Sequence, residues 1–393
     1  MDTHRTERRH RRPPPILPAC AIVVAASLSL GPGFAQEPVI RTEQPVASTE
    51  FPLTFTTWTG PYMRSQMLGF VRPYEEQTGS RVKVEHYAGG LNHLRDQVES
   101  ANVTWDVVDL TQADLLRACE EGLLEKIPDI TLPAGADGTP FRDDFVEGGL
   151  HECGVGVIVW ATAYAFDREK FGANPPTTIA DFFDTKKFPG PRAVRNDPTV
   201  TMEWALIADG ARPEEVTALL ETPAGIKRAL AKMEAIRPGL KVWSNGREPV
   251  RLLNSGDIAM SSIWATTGAA ATLEPGARFD LVWDGKVLEL DLFAIPKGSR
   301  NRQAAIDFIR FASSAQSLAK MVEHLPNGPA RQSSLALVAD DIKAQLPNNP
   351  ARENELTIQS DAAWWSRNHA ALEEVFRAWL DGPVQKGPAG TVR

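Results

Sequence analysis

Two carboxylates separated by one residue stand in an otherwise apolar segment of this 393-residue chain. Glu289 and Asp291 lie in the run VLELDLFAIP, residues 287–296, whose alternation predicts a β-strand. Because side chains at positions i and i+2 of a strand point to the same face, the two acids share one side of it. A buried carboxylate without a partner is costly, so a cation is expected beside them. That cation is either an Arg or Lys of the protein itself or a bound ligand.

Tryptophan is the second residue type that could bind a cation. The chain has 10 Trp against 4 Tyr, and Trp58, Trp264 and Trp283 stand at the ends of predicted strands. The carboxyl ends of parallel strands face the crevice in which α/β proteins bind ligands, and indole faces attract ammonium groups. Core packing is the alternative role for each of them. The tryptophans that we assign to the core or to the surface are Trp105, Trp160, Trp204 and Trp379.

The sequence lacks the common catalytic motifs. It has no G-x-S-x-G, no H-E-x-x-H, no Walker loop and no G-x-G-x-x-G that opens a helix after a strand. The net charge is −8, and it becomes −11 without the first 35 residues, which carry five basic and two acidic side chains. This acidity argues against a nucleic acid partner and weakly favours a cationic one. We therefore expect binding rather than catalysis, with no cofactor and no metal.

The first 35 residues have the pattern of a secretory signal peptide. Five arginines among the first twelve residues precede an apolar run at 16–30, and Gly33 and Ala35 provide a small-residue cleavage site. The run is short for a bilayer span. A mature protein beginning near Gln36, periplasmic and not membrane-spanning, is therefore expected. A lipid anchor at Cys20 and a twin-arginine signal are the alternatives.

Removal of such a signal would leave two cysteines, Cys119 and Cys153. In an exported chain a pair of cysteines more often forms a disulfide than a metal site or a nucleophile. We predict that the two are bridged, and two separate buried thiols are the alternative.

Strand and helix patterns alternate with short loops, which predicts βαβ units around a mainly parallel sheet with helices on both faces. Strands are predicted at 53–58, 81–88, 105–110, 258–264 and 279–283, and helices at 62–77, 91–100, 112–124, 178–184, 200–210, 223–236, 301–321 and 361–380. Two further β-rich runs, 156–167 and 287–296, could each cross between two lobes. The predicted lobes are 51–160 with 291–330, and 161–290 with 331–393.

Several of these segments resemble the substrate-binding proteins of bacterial polyamine ABC importers, the spermidine- and putrescine-binding group. The resemblance rests on the order and spacing of FTTWTG, TWDVVDLTQADLLRACEEGLLEKI, DFFDTKKFPGPRAVRNDPTVTMEWAL, LNSGDIAMSSIW, LDLFAIPKGSRNRQAAIDFIRFA and AAWWSRNHAALEEVFRAWL. It implies the periplasmic binding protein fold, in which two α/β lobes joined by crossing strands close by hinge bending on one ligand. It also implies a monomer whose partner is an ABC permease at the inner membrane.

The family's site combines aromatic walls with carboxylates that take ammonium groups. By position, the resemblance implies ligand contacts at Trp58, Thr59, Thr111, Asp197, Ser244, Trp264 and Asp291, and Glu289 joins them through its place on the strand.

Four positions depart from the family pattern. Val200 stands where a second carboxylate is expected and Glu289 where a Trp is expected, while Ala113 replaces an aromatic residue and Trp365 an amide. One acid is lost at Val200 and one is gained at Glu289, so the number of acids is retained while their positions differ from the family's. The expected ligand is therefore a small polycation such as putrescine or spermidine. A cationic amino acid, an opine-like compound, a phosphonate or a metal complex is the alternative ligand. A secreted enzyme on the same scaffold is the alternative class.

Overall fold

A computed structural model of the protein describes residues 52–352 and 354–382. The predicted signal peptide, residues 1–35 with Cys20, lies outside the described residues. Within the described ranges, no helix is both long and apolar enough to cross a membrane.

One mixed sheet organises the described residues. Its strands are β1 (Leu53–Thr57), β2 (Val82–His86), β3 (Val107–Thr111), β4 (Leu150–His151), β5 (Gly154–Asp167), β6 (Arg192–Arg195), β7 (Lys241–Trp243), β8 (Met260–Trp264), β9 (Phe279–Ala294), β10 (Gly328–Pro329) and β11 (Thr357–Gln359). The main path runs β2-β1-β3-β9-β5-β8-β6-β7. β1 is parallel to β2 and β3, and β6 is parallel to β7 and β8. Two long antiparallel strands, β5 and β9, join these parallel groups.

Helices surround this sheet. Their bounds are α1 (Pro61–Gln66), α2 (Arg72–Thr78), α3 (Asn92–Glu99), α4 (Gln112–Glu120), α5 (Phe141–Asp144), α6 (Arg168–Phe171), α7 (Ile179–Phe183), α8 (Thr201–Ala208), α9 (Val216–Leu220), α10 (Pro223–Met233), α11 (Arg247–Asn254), α12 (Ala265–Thr272), α13 (Arg302–Ala312), α14 (Ala315–Val322), α15 (Asp340–Lys343) and α16 (Ala362–Asp381). A π-helical turn at Met67–Val71 joins α1 to α2.

Two predicted boundaries are wrong for identifiable reasons. The strands expected at 279–283 and 287–296 form one 16-residue strand, β9. Gly285, at φ 81°, accommodates an irregularity within this strand instead of a turn. The helix expected at 301–321 is two helices, because Ser314 begins α14 and its side chain accepts the Ser317 N–H.

Two buried apolar clusters occupy the same face of the central strands. One of them, which we call the first-half cluster, includes Phe55 and Phe293, and the other, the second-half cluster, includes Val287. We call the elements that contribute to each cluster the first half and the second half of the structure, although neither is continuous in sequence. Alternate residues of a strand share a face, so Asp291 and Glu289 stand in one row between Phe293 and Val287. The two acids therefore lie in the interval between the two cores.

The division into lobes stays a prediction. Residues of the first-half cluster fall within 53–158 and 293–330, and those of the second-half cluster within 164–287 and 358–379. The segment after β10, which we assigned to the second lobe, packs on α14 of the first half. Val338 and Leu346 make that contact, against Ala319 and Val322.

The predicted disulfide between Cys119 and Cys153 is confirmed, with the two Cα atoms 6.0 Å apart. It ties the carboxyl-terminal part of α4 to the residue that precedes β5. The bridge thus fixes a helix of the first half to one of the two long central strands.

Candidate functional site

The row of acids on β9 is extended by Asp109 of the neighbouring strand β3. Thr111 pairs with Asp291 and Asp109 pairs with Phe293, so Asp109 stands diagonally beside Asp291 on the same face. Asp109 is fully buried and Asp291 is 5% exposed. We call Asp109, Asp291 and Glu289 the acid cluster.

Neutral donors hold the acid cluster in place. Thr57 Oγ1 and Gln66 Nε2 donate to Asp109 Oδ2 at 2.9 Å and 2.7 Å. The indole N–H of Trp160 donates to Asp291 Oδ1 at 2.9 Å. Asp109 Oδ1 and Glu289 Oε2 are buried and have no hydrogen-bond partner among the described residues. Free acceptor atoms therefore remain inside the cluster.

Burial controls the ionisation of these acids. It raises the pKa of Asp109 to about 7, against the opposing hydrogen bonds of Gln66 and Thr57. Burial, followed by the charge of Asp109, raises the pKa of Asp291 well above its ordinary value. Burial also raises the pKa of Glu289 to about 8, although the charge of Arg195 opposes it. Within residues 52–352 and 354–382, none of the three forms a salt bridge.

Aromatic side chains of the first half stand around the cluster. Trp58 follows β1, and its ring centroid lies 5.1 Å from that of Tyr87. The Tyr87 hydroxyl donates to the backbone carbonyl of Asp109 at 2.6 Å. Burial, then the charges of Asp109 and Asp291, raise the pKa of Tyr62, so this phenol also faces the acids. Trp58 Nε1 and the Tyr62 hydroxyl are buried without a hydrogen-bond partner in the described part of the chain.

The second half contributes an indole and a guanidinium. Trp264 ends β8, its Nε1 is buried without a described partner, and its ring meets the Trp243 ring edge-on at 5.5 Å. Arg195 ends β6, and its guanidinium carbon lies 5.9 Å from the Trp264 ring centroid. The charge of Arg195 lowers the pKa of both Glu289 and Asp197. This half-buried cation is therefore close to the Glu289 end of the acid row.

Both indole rings are seated against glycine backbone. A Cβ added at Gly89 would lie 2.8 Å from the Trp58 ring, and one added at Gly246 would lie 2.6 Å from the Trp264 ring. Larger residues at either glycine would push the ring away. The two glycines therefore help to fix the orientation of the aromatic walls.

Asp197 differs from the acid cluster because it has a protein partner. His369 Nε2 on α16 lies 3.1 Å from Asp197 Oδ2, and the Thr199 N–H donates to Oδ1 at 2.9 Å. Burial would raise the pKa of Asp197, but the His369 hydrogen bond and the charge of Arg195 outweigh it and hold the pKa at about 2. Asp197 is therefore a stable carboxylate.

Two of the departures from the family pattern are linked through Glu203. Val200 has φ 69°, a strained conformation for a β-branched residue. Its N–H donates to Glu203 Oε2 at 3.1 Å, and the indole N–H of Trp365 donates to Glu203 Oε1 at 2.9 Å. Glu203 thus anchors the strained start of α8 to α16.

The structure brings most of the predicted site residues together. Trp58, Trp264 and Asp197 flank the acid row, and Thr111 lies beside Asp291 while its Oγ1 accepts the Asp114 N–H at 3.3 Å. Thr59 and Ser244 are exposed. The site assignment as a whole stays a prediction.

Sequence reasoning missed several residues of this site. Asp109 carried a usable signal, since it is an acid inside the buried run WDVVDL, the same pattern that selected Glu289 and Asp291. Trp160, which we assigned to the core or the surface, instead binds Asp291. Arg195 and His369 carried no such signal, because neither stands inside a buried apolar run as these acids do.

An α/β sheet with parallel groups joined by two crossing strands, and polar groups gathered at the crossing, defines a periplasmic binding protein fold. The chain belongs to the family described as "Bacterial extracellular solute-binding protein", which it matches over residues 69–353. It is thus a solute-binding protein of the class that serves ABC importers, and the predicted fold class is confirmed. The predicted resemblance is confirmed at the level of this family, and the polyamine group within it stays a prediction.

Individual relatives span most of the chain. A gamma-aminobutyric acid-binding protein of Pseudomonas aeruginosa PAO1 is 34% identical over 329 residues, which is 83% of this chain and 90% of that protein. Spermidine/putrescine-binding periplasmic protein 1 of Haemophilus influenzae Rd is 22% identical over 278 residues, 69% of this chain and 73% of that protein.

Solved structures give the same picture. The PBP MotA from A. tumefaciens B6, in complex with glucopine, has a TM-score of 0.75 and 26% identity, covering 84% of this chain and 100% of that one. The Atu4243 GABA receptor has a TM-score of 0.74 and 25% identity, covering 87% and 100%. These relatives are binding proteins, which agrees with the expectation that the chain is not an enzyme.

Proposed function

We propose that this protein captures a linear ω-amino acid of the γ-aminobutyrate type in the periplasm and delivers it, as a monomer, to an ABC permease. The observation that carries the proposal is the presence of both signs of charge along one site. Asp109 and Asp291 offer buried carboxylates that form no salt bridge among the described residues, and Arg195 stands near Glu289 at the other end of the row. A ligand with an ammonium group at one end and a carboxylate at the other would satisfy both.

The electrostatics favour an ammonium group at the acid cluster. Carboxylates that are buried without a cation are held protonated, and a bound cation returns them to the charged form. A bound ammonium would thereby offset the cost of ionising Asp291 in a buried place, which is what raises its pKa. Trp58 and Trp264 provide flat apolar walls for the methylene chain between the two charged ends.

The carboxylate of the ligand would bind Arg195. A guanidinium binds carboxylate through two parallel hydrogen bonds, and that of Arg195 lies over the Trp264 ring, 5.9 Å from its centroid. A diamine would instead bring a second positive charge towards Arg195. The relative from Pseudomonas aeruginosa, named for γ-aminobutyric acid, supports the same ligand class.

A polyamine is the second candidate. Three acids, of which Asp109 and Asp291 are buried and Glu289 is half-buried, against one arginine leave an excess of negative charge, and this excess suits a dication such as putrescine. The spermidine/putrescine-binding relative supports this candidate at lower identity.

Closure of the site would follow the division into lobes. We propose the predicted lobes with one change, in which 331–346 moves to the first because Val338 and Leu346 pack on α14. The ligand would then touch acids and Trp58 of one lobe and Arg195 and Trp264 of the other. Contacts to both lobes stabilise the closed form, which the ligand then selects.

Titration calorimetry with γ-aminobutyrate, putrescine and spermidine tests this function. In the parent protein, γ-aminobutyrate should bind most tightly. Arg195→Gln should weaken γ-aminobutyrate by about 2–3 kcal/mol, roughly 30- to 150-fold, and should not weaken putrescine. The matched control is Arg247→Gln, an exposed arginine on α11, which should change neither. Tighter binding of putrescine than of γ-aminobutyrate, improved further by Arg195→Gln, would instead establish the polyamine.

A further inference from the structure

We infer that Asp109 and Asp291 share one proton in the empty site, and that the ammonium group of the ligand binds between them and displaces that proton to solvent. This inference rests on the proposed function only in requiring an ammonium ligand, which amino acids and polyamines have in common. It assigns a specificity role to Asp109, which lies outside the set of residues selected from the sequence.

The geometry of the pair carries the inference. Asp109 and Asp291 are diagonal neighbours on the same face of adjacent antiparallel strands. Both are buried, and Asp109 Oδ1 has no hydrogen-bond partner among the described residues. Burial raises the pKa of both, and the charge of Asp109 raises that of Asp291 further, so the pair does not ionise fully without a cation and retains a proton.

No protein cation is available to replace that proton within the described part of the chain. The groups that face the pair are Tyr62 and Gln66 from α1, Thr57 from β1, Trp160 from β5, Tyr87 after β2, Glu289 on β9 and Asp114 on α4. Each of these groups is neutral or acidic. They can orient the two carboxylates but cannot balance their charge.

Asp197, the remaining acid of the site, differs from the pair in its ionisation. Asp197 has His369 and Arg195 beside it and stays ionised, whereas burial raises the pKa of Asp109 to about 7. One proton therefore leaves the Asp109–Asp291 pair near neutral pH, and the other remains, because the pKa of Asp291 is raised well above its ordinary value, until a cation replaces it. Ammonium binding completes the exchange, because the ligand keeps its three N–H protons and one carboxylic proton passes to the buffer. No covalent bond forms or breaks in the ligand.

Discrimination between ligands follows from this exchange. A primary ammonium can donate to the free Asp109 Oδ1 and to Asp291 together, while a quaternary ammonium has no N–H to donate. We therefore expect binding to favour primary ammonium groups and to strengthen as pH rises through the range in which the pair titrates.

The test counts protons during binding. γ-Aminobutyrate is titrated calorimetrically near pH 6.5, in phosphate and in ACES, two buffers with different heats of ionisation. The ligand itself does not titrate there, since carboxyl and amino groups have pKa values of about 4 and about 10. The parent protein should release between roughly half a proton and one proton from the pair. Asp109→Asn should lower the release, because it removes the Asp109 charge that adds to burial in raising the pKa of Asp291.

The control is Asp280→Asn, the same substitution at the exposed far end of β9, which should leave proton release unchanged. The amide introduced by Asp109→Asn would keep an oxygen that accepts from Thr57 and Gln66, so the variant should fold. Should it not fold, the proton release is measured in Glu289→Gln, where Glu289, whose pKa is raised to about 8, no longer contributes, and loss of the release in that variant would overturn the shared proton.

The outcomes separate the two proposals. Binding of γ-aminobutyrate without proton release overturns the shared proton and leaves the proposed function intact. Binding of putrescine with proton release, and no binding of γ-aminobutyrate, overturns the amino-acid ligand and supports the shared proton. Absence of binding by either ligand overturns both.

Discussion

The acid cluster and the Asp197–His369 pair are two carboxylate environments within one site, and they behave in opposite ways. In the acid cluster, burial without a salt bridge raises the pKa of Asp109 to about 7 and that of Glu289 to about 8, although the charge of Arg195 opposes the rise at Glu289. At Asp197, burial acts in the same direction, but His369 and Arg195 outweigh it and hold the pKa at about 2. The presence of a protein partner, rather than the degree of burial, separates the two.

This difference indicates which acids are available to a ligand. Asp197 already balances its charge and joins the loop before α8 to α16, so it contributes to the structure with or without ligand. Asp291 and Glu289 have no such partner among the described residues and gain one only when a cation binds. The sequence placed all three acids in one ligand-binding set, and the comparison divides that set.

Removal of the disulfide, which lies in the first half, should cause the largest change in free energy among the variants that test this comparison. The double substitution Cys119→Ser with Cys153→Ser removes a bridge that spans a sequence separation of 34 residues in the first half. It should lower the free energy of unfolding by roughly 3–4 kcal/mol in the chain-entropy model. Urea titration of parent and variant measures this loss. Reductant should destabilise the parent but not the variant, and equal stabilities of the two would show that the bridge contributes nothing.

Asp291→Asn tests the division of the acids directly. It removes the buried partner of the ligand ammonium and should weaken ligand binding by about 2–3 kcal/mol, roughly 30- to 150-fold. Glu289→Gln should cost less, and Asp197→Asn least, because Asp197 is already occupied by His369. Calorimetry on the three variants ranks them. If all three bind like the parent, the acid cluster is not the ligand site.

The sequence predicted the fold better than the details of the site. Strand and helix periodicity located most elements, because burial of one face imposes a regular pattern on neighbouring residues. The strands predicted at 279–283 and 287–296 are one strand, since a glycine at φ 81°, Gly285, can sit inside a strand irregularity. The long-range pairing of β9 with β3 and β5 then decided which acids met, and local sequence does not encode that pairing.

The aromatic walls should respond unequally if the two ends of the site differ as proposed. Trp58 contacts Tyr87 beside the acid cluster, whereas Trp264 lies under the guanidinium of Arg195. Trp58→Leu should therefore weaken binding of an ammonium ligand by about 1 kcal/mol through the lost cation–π contact, and Trp264→Leu should weaken it less. Equilibrium dialysis with labelled ligand measures both. A larger loss for Trp264→Leu would place the ammonium at the opposite end.

Disruption of the Asp197–His369 pair should have the smallest effect, which is a change in how the stability of the ligand-free protein depends on pH. The hydrogen bond that His369 donates to Asp197 raises the pKa of His369, although burial opposes the rise. A group with a raised folded pKa stabilises fully below its unfolded pKa, about 6.5, and loses that contribution as pH rises through the folded value. The parent should therefore lose stability above neutral pH relative to His369→Gln.

The expected loss is under about 1 kcal/mol, because the pair is partly exposed and solvent screens it. Scanning calorimetry at several pH values between roughly 5.5 and 8.5 compares the parent with His369→Gln, with Asp197→Asn and with the double variant. Each single variant should flatten the pH dependence by the same amount, and the double variant should add nothing further, because both remove one interaction. Parallel curves for parent and variants would mean that the pair does not form in solution. Asp197 would then be as free for a ligand as Asp291, and the division between the two environments would disappear.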